Sequence, residues 1–243
     1  MKTLGLVTIA LFFTAQAAAA SPNWTLISFA TTPQNAPKVL AAADELMNSA
    51  AGKQFPGRLL LQLSVADGAN PATHSFVPIY KSAADREGFV AKLQADPAWP
   101  AFQGKMASLS QPVSTVMYST LKSWGAADDS DEVWEAHAFS VSDPAGFLAA
   151  IGALMASPTG KKFPGQVHLS AVSAGGITPV THLISVGFQS EVEREAWNDM
   201  RNATSDWAAY IESSRKVSEF LGTSLARDIK EWGAAPLAEL VAP

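Results

Sequence analysis

The chain has 243 residues and contains no cysteine. This absence excludes disulfide bonds, thiolate ligands for a metal ion and thiol nucleophiles. It also excludes attachment of a lipid to a cysteine behind the apolar N-terminal run. In an oxidising compartment the packed core alone must therefore stabilise the fold, and repeats of about a hundred residues can bury enough apolar surface to do so.

Positive charge is also scarce, since 17 basic side chains face 22 acidic ones and the net charge is −5. A mildly acidic protein has no electrostatic reason to bind nucleic acid or an anionic membrane surface, and we predict neither partner. The sequence lacks the serine nucleophile elbow, the phosphate-binding loop, the dinucleotide fingerprint and the His-Glu-x-x-His motif. No motif therefore identifies a reaction.

Residues 1–20 are typical of a secretory signal peptide. Lys2 supplies the positive start, Leu4–Phe13 the apolar run and Ala18–Ala20 a cleavage site of small residues. The apolar run is well short of the ~20 residues that span a bilayer. We therefore predict a periplasmic or secreted protein that is not inserted in a membrane after cleavage.

The rest of the chain is a tandem duplication. The sequence Gly-Lys-Gln-Phe-Pro-Gly at 52–57 recurs as Gly-Lys-Lys-Phe-Pro-Gly at 160–165, and the copies then match without a gap at an offset of 108. Thr73-His74 falls on Thr181-His182 in this alignment. The sequence thus predicts a signal peptide at 1–20, a first repeat at 21–125, an acidic linker at 126–132, and a second repeat with a C-terminal tail at 133–243.

Both repeats show the same order of strand and helix patterns. Apolar residues recur every three or four positions over Pro37–Ala50, which predicts a helix, and they alternate over Arg58–Val65, which predicts a strand. The first repeat should end with a strand at Val113–Leu121, and the second with a helix at Ser205–Phe220 followed by a strand at Leu221–Ile229. The order βαββαβ predicts two α+β units of the ferredoxin-like type, each an antiparallel sheet with helices on one face.

The uncovered face of each sheet must be buried by something. Two copies in one chain indicate that the sheets pair with each other as a pseudo-dimeric α/β barrel around a shared interior. In addition, the run Ala95–Phe102, which follows Tyr80–Arg86, resembles the dimeric α/β-barrel superfamily, which includes antibiotic-biosynthesis-monooxygenase-like and NIPSNAP-like domains. The second repeat keeps only Ser205–Tyr210 of this run.

The resemblance implies ferredoxin-like units that pair through their sheets, but it implies no single activity. The superfamily includes cofactor-independent oxygenases, haem-handling enzymes and proteins without known chemistry, and a fold does not transfer a function. The large aromatic residues at repeat-equivalent positions, among them Trp24 and Trp134, are interpreted as core.

The candidate site residues are the polar side chains of the expected interior. On the second strands Gln62 lies opposite the leucine face, and His168 and Ser170 stand at the matching places of the second repeat. Both repeats also begin the third strand with a histidine, which is either a ligand contact, a general base or a structural residue, on a sheet face that the sequence does not fix. We predict that a ligand is bound by His74, His182, Gln62, His168, Ser170 and Tyr118.

His137, His168 and His182 place three imidazoles in the second repeat, which raises the hypothesis of a metal or haem site. The expected strand order puts His168 and His182 toward opposite ends of the sheet, so we predict no metal site and no cofactor, with haem or a metal as the weaker alternative.

The function that the sequence favours is binding of a small, largely apolar ligand between the sheets by an exported protein. The alternatives are a cofactor-independent monooxygenase-like or haem-handling enzyme, and a structural assembly module without a small-molecule site. The chain is expected to be either a monomeric pseudo-dimer or a homo-oligomer.

Overall fold

The computed structural model describes residues 22–125, 130–176, 179–233 and 235–241. The predicted signal peptide and residues 126–129 of the predicted linker lie outside these ranges. No helix among the described residues combines the length and the apolarity needed to cross a membrane.

Both repeats have the predicted order of elements, with the second helical region divided into two helices. The first repeat consists of β1 Asn23–Thr31, α1 Ala36–Met47, β2 Arg58–Ala66, β3 His74–Tyr80, α2 Ala83–Ala95, α3 Ala98–Leu109 and β4 Ser110–Gly125. The second consists of β5 Val133–Val141, α4 Pro144–Ala156, β6 Gln166–Ala174, β7 His182–Phe188, α5 Glu191–Asn202, α6 Ser205–Ser214 and β8 Ser218–Trp232. A short helix, α7, follows at Leu237–Val241.

The predicted boundaries around the last strand of each repeat are wrong, because both strands begin earlier and end later than predicted. The predicted helix Ser205–Phe220 ends at Ser214, and β4 begins at Ser110, before the predicted Val113. In the second repeat the cause is strand pairing, because residues 218–220 form a ladder with residues 139–141 of β5. Backbone hydrogen bonds across this ladder outweigh the helical pattern of the local sequence.

The eight strands form a closed ring in the order β1-β3-β2-β8-β5-β7-β6-β4. All pairs are antiparallel, and the two repeats meet at the seams β2–β8 and β4–β6. Strands that correspond between the repeats lie four places apart in this ring and therefore face each other across it. The α+β fold with two ferredoxin-like units paired through their sheets is confirmed.

Each repeat has its own apolar core between its sheet and its helices. Phe29, Val39 and Leu61 are buried there in the first repeat. Phe147 and Leu169 belong to the larger core of the second repeat. Because these residues alternate along the strands with inward-facing ones, the opposite sheet face is left to enclose the interior of the ring.

The repeated Gly-Lys-x-Phe-Pro-Gly sequence joins the first helix of each repeat to the next strand. A Cβ atom on Gly57 would lie 2.0 Å from the carbonyl oxygen of Ile79, and one on Gly165 would lie 2.2 Å from that of Gly187. Phe55 packs edge-on against Tyr80 and Phe89. The two copies of this sequence are thus retained for close backbone packing, and they do not form a catalytic motif.

We therefore expect Gly57→Ala to lower the free energy of unfolding by about 2 kcal/mol or more, since the backbone must move to admit the methyl group. Gly88→Ala is the matched control, because it lies within α2 and a Cβ there meets nothing within 4 Å. That change should stabilise the protein by about 0.5–1 kcal/mol. Urea unfolding of both variants is the measurement, and equal effects would contradict the packing argument.

Candidate functional site

The interior of the ring contains a cavity of about 120 Å³. An apolar cavity of about 150 Å³ in another protein takes up benzene, so this volume suits a single six-membered ring. Inward-facing residues of all eight strands line it. Eleven of the lining residues are apolar and nine are polar: Trp24, Leu26, Leu60, Val77, Ile79, Trp134, Ala136, Leu183, Leu225, Ala226 and Leu237, with Ser28, Gln62, Ser64, Asp67, Ser75, Thr120, His168, Ser185 and Ser224.

The C-terminal helix α7 covers the end of the cavity at which β1 begins and β3 ends. Leu237 lines the cavity and packs with Leu60, Val77 and Ile79. Leu240 lies in the same cluster and is only 1% exposed. The apolar end of the interior is therefore closed by a segment that follows the second repeat.

Two tryptophans stand at repeat-equivalent places on opposite walls. Trp24 stacks on Tyr118 with the ring centroids 4.2 Å apart. Its indole Nε1 donates a hydrogen bond to Ser170 Oγ at 3.2 Å. Ser170 is fully buried, so Ser170 and Tyr118 fix one tryptophan wall of the interior.

The second tryptophan wall carries a carboxylate instead of a hydroxyl group. Trp134 Nε1 donates to Asp228 Oδ2 at 3.0 Å, and Gln62 Nε2 donates to Asp228 Oδ1 at 2.8 Å. Gln62 and Asp228 are direct partners in the β2–β8 ladder, as Ser170 and Thr120 are in the β6–β4 ladder. Burial raises the pKa of Asp228 to about 6, although the hydrogen bonds from Gln62 and Trp134 act in the opposite direction.

His168 lies on β6, which faces β2 across the ring. Its ring stacks against Trp134 at 6.0 Å, and its Nδ1 shares a hydrogen bond of 2.9 Å with Ser123 Oγ. Its Nε2 is buried and has no hydrogen-bond partner among the described residues. Burial lowers the pKa of His168 to about 4, so the imidazole is uncharged at neutral pH.

The two histidines that begin the third strands do not face the cavity. His74 stacks on Phe29 and His182 packs edge-on against Phe147, both on the helix-covered side of the sheet. Each shares its Nδ1 with the hydroxyl of the preceding threonine at 2.9 Å. The pair therefore faces the helices and not the interior, and the structural alternative describes their contacts.

The six predicted ligand residues thus separate into three groups. Gln62 and His168 line the cavity, whereas Ser170 and Tyr118 lie beside it and contact Trp24. His74 and His182 lie outside it. The sequence interpretation missed Trp24 and Trp134, which it assigned to the core, and Asp228. The signal for Asp228 was a carboxylate at an inward-facing place where the first repeat has Thr120.

The described residues offer no metal site, since no three His, Cys, Asp or Glu side chains are grouped to hold an ion. His137 lies outside the ring, where its Nε2 pairs with Glu135 at 2.9 Å and its Nδ1 bonds Thr223 Oγ1 at 2.8 Å. Burial raises the pKa of Glu135, but contacts with His137, Arg194 and Arg201 bring it to about 2. The histidines of the second repeat therefore do not converge.

A haem group does not fit the cavity as it stands. His168 is the one histidine of the four that lines it. An axial ligand needs room for the macrocycle in front of its ring nitrogen. A volume that suits one six-membered ring does not provide this room.

Neither the known protein families nor the curated proteins include a match to this chain. A solved structure from Lactobacillus acidophilus, inferred to be a monooxygenase, matches with a TM-score of 0.62 and 11% identity, covering 87% of this chain and 95% of the other. Another from Fusobacterium nucleatum, also inferred to be a monooxygenase, matches with a TM-score of 0.59 and 11% identity over 88% and 95% of the two chains.

A haem-binding protein from Thermus thermophilus matches with a TM-score of 0.51 and 10% identity over 87% and 92% of the two chains. Likeness at this level of identity establishes the fold and not the activity. The chain has the dimeric α/β-barrel fold. The fold that the sequence resemblance implied, two ferredoxin-like units paired through their sheets, is confirmed.

The buried imidazole gives the site a measurable pH dependence. The pKa of His168 is about 4 in the folded protein, below the ordinary value of 6.5. As the pH falls, the unfolded chain therefore binds a proton at His168 before the folded protein does. The contribution of the uncharged His168 to stability is complete above pH 6.5 and is lost as the pH falls toward 4.

We expect His168→Leu, which restores the residue type of Leu60 in the first repeat, to remove this loss. Relative to the variant, the wild type should lose up to about 3 kcal/mol of unfolding free energy between pH 6.5 and pH 4. Urea unfolding at several pH values measures it. Parallel curves for the two proteins would show that His168 is not buried uncharged.

Proposed function

We propose that the protein binds a small, largely apolar ligand with one aromatic ring inside the barrel. The observation that supports this best is the cavity itself, whose volume of about 120 Å³ is walled by two tryptophans and several aliphatic side chains. Gln62 and His168 offer polar contacts from opposite walls, since β2 and β6 are four places apart in the ring. Such an arrangement orients an apolar body with few hydrogen bonds.

The unpaired Nε2 of His168 supports the same proposal. A buried polar atom without a partner costs about 1–3 kcal/mol, so an interior with no ligand would be more stable with leucine at this place. The first repeat has Leu60 there, and Leu60 packs in an apolar cluster. A ligand atom that bonds Nε2 accounts for a histidine in only one of the two repeats.

The proposal includes export, for which residues 1–20 are the basis. It treats one chain as sufficient for the site, because both walls of the cavity come from the same polypeptide. Mass spectrometry of the small molecules that remain with the protein after purification from the periplasm or the medium would identify the natural ligand.

Toluene is a suitable first probe, and calorimetric titration should detect its binding to the wild-type protein. Ala136→Leu adds a branched side chain to the cavity wall and is expected to weaken toluene binding about tenfold or more. Ala101→Leu makes the same change on the exposed side of α3 and is the control. If toluene binds both variants as tightly as the wild type, the ligand lies elsewhere; if it does not bind the wild type, the cavity is not a site for such rings.

A second candidate function is catalysis by a cofactor-independent oxygenase, in keeping with the inferred activity of two structural neighbours. The observation that favours it is the uncharged imidazole of His168 beside the cavity, which as a weak base can accept a hydrogen bond from a bound hydroxyl group. That hydrogen bond raises the electron density of the aromatic ring, which makes the ring more reactive toward oxygen.

Oxygen uptake with catechol and hydroquinone, corrected for spontaneous oxidation, tests this second candidate. The wild type should exceed the background, and His168→Leu should return to it. His182→Leu should keep the wild-type rate because His182 faces the helices. Uptake at the background rate in the wild type, or equal rates in the wild type and the His168 variant, would exclude His168 as the base for such substrates.

A further inference from the structure

We infer that Asp228 is a positioning residue that fixes the side-chain amide of Gln62 with its carbonyl oxygen toward the cavity, so that the site selects ligands carrying a hydrogen-bond donor. The inference rests on the proposed function, since it concerns the ligand of the same cavity. The class of ligand that it names is a single aromatic ring with a hydroxyl or N–H group.

The first step is the hydrogen-bonding capacity of the carboxylate. An ionised aspartate accepts hydrogen bonds and donates none. Asp228 Oδ1 receives Gln62 Nε2 at 2.8 Å and Oδ2 receives Trp134 Nε1 at 3.0 Å. If the Gln62 amide were reversed, its oxygen would face a carboxylate oxygen, and two acceptors would meet without a proton between them. The carboxylate therefore permits only one orientation of the amide.

The second step is the position of the remaining amide atom. Gln62 is 8% exposed and lines the cavity. Its Oε1 receives no hydrogen bond from any described residue. A carbonyl oxygen beside a largely apolar cavity needs a donor, and a ligand that carries one meets this need.

The third step is the comparison with the other repeat. Thr120 and Ser170 occupy the places of Asp228 and Gln62 and are paired in the same way across their strands. Their hydroxyl groups rotate and can both donate and accept hydrogen bonds, so they do not favour a ligand that donates over one that accepts. Selection for a donor is therefore a property of the β2–β8 seam and not of the β4–β6 seam, because the duplication left the two seams free to differ.

Arg58 and Glu231 are the charged groups that act on Asp228, and they are bonded to each other. Arg58 lowers the pKa of Asp228 and Glu231 raises it, while burial has the largest effect and raises it to about 6. Measurements at pH 8 therefore keep the carboxylate ionised. Phenol is still protonated at that pH and can donate.

The test compares three probes of similar size by calorimetric titration at pH 8. Phenol can donate a hydrogen bond, benzonitrile can only accept one, and toluene can neither donate nor accept. The wild type should prefer phenol to both of the others. Gln62→Leu should lower the ratio of phenol to toluene affinity about tenfold, the effect of one neutral hydrogen bond. Asp228→Asn gives the Gln62 amide a partner that can also donate a hydrogen bond, so the amide can turn its N–H group toward the cavity. The ratio of phenol to benzonitrile affinity should then fall at least about fivefold.

Asp199→Asn makes the same change on the exposed side of α5 and should leave all three affinities at their wild-type values. Thermal melting of each variant establishes that it is folded. If Asp228→Asn does not fold, Gln62→Leu still tests the inference. If all probes bind the wild type but the ratios stay the same in both variants, the role of Asp228 is overturned while the binding function stands. If no probe binds the wild type, the binding function fails and the inference fails with it.

Discussion

The structure depends on the two seams, β2 with β8 and β4 with β6, at which the sheets of the repeats join. A ferredoxin-like sheet covers one face with helices and exposes the other, and here each exposed face is buried by its counterpart. Because both sheets belong to one chain, closure of the ring is intramolecular and does not depend on protein concentration. The same covalent link removes the requirement that both halves have identical residues, since each position is encoded separately.

The two halves of the interior differ in their polar residues. Both halves have the tryptophan, but the polar residues differ between the repeats. In the alignment His168 corresponds to Leu60, Gln62 to Ser170, and Asp228 to Thr120. Each of the three makes its half more polar and raises the cost of burial, because a carboxylate, an amide and an imidazole all lose solvation there. The helix-facing cores supply stability without them. Under the proposed function, a ligand accounts for residues that raise the cost of folding at only one of two equivalent positions.

The fold could be predicted from the sequence because the duplication gives every element twice and the apolar periodicity is clear in both copies. The residue spacing also placed Gln62 and His168 on inward faces correctly. The face of His74 and His182 could not be predicted, because a shift of one residue in register moves a side chain to the other side of the sheet. The Gln62–Asp228 contact joins residues 166 positions apart, and no local pattern indicates such a pair.

A barrel of two identical chains would present every polar contact twice, related by its two-fold axis, and a ligand could lie in either of two equivalent orientations. In this chain the axis is only approximate, since hydroxyl groups replace the carboxylate and the amide on one side. His168 and Asp228 both contact Trp134, so the residues that break the symmetry gather around one tryptophan. The proposed function needs one ligand in one orientation, and polar residues placed at one seam and around one tryptophan would provide it. Loss of symmetry in the interior is therefore what the proposed function requires of the duplicated scaffold.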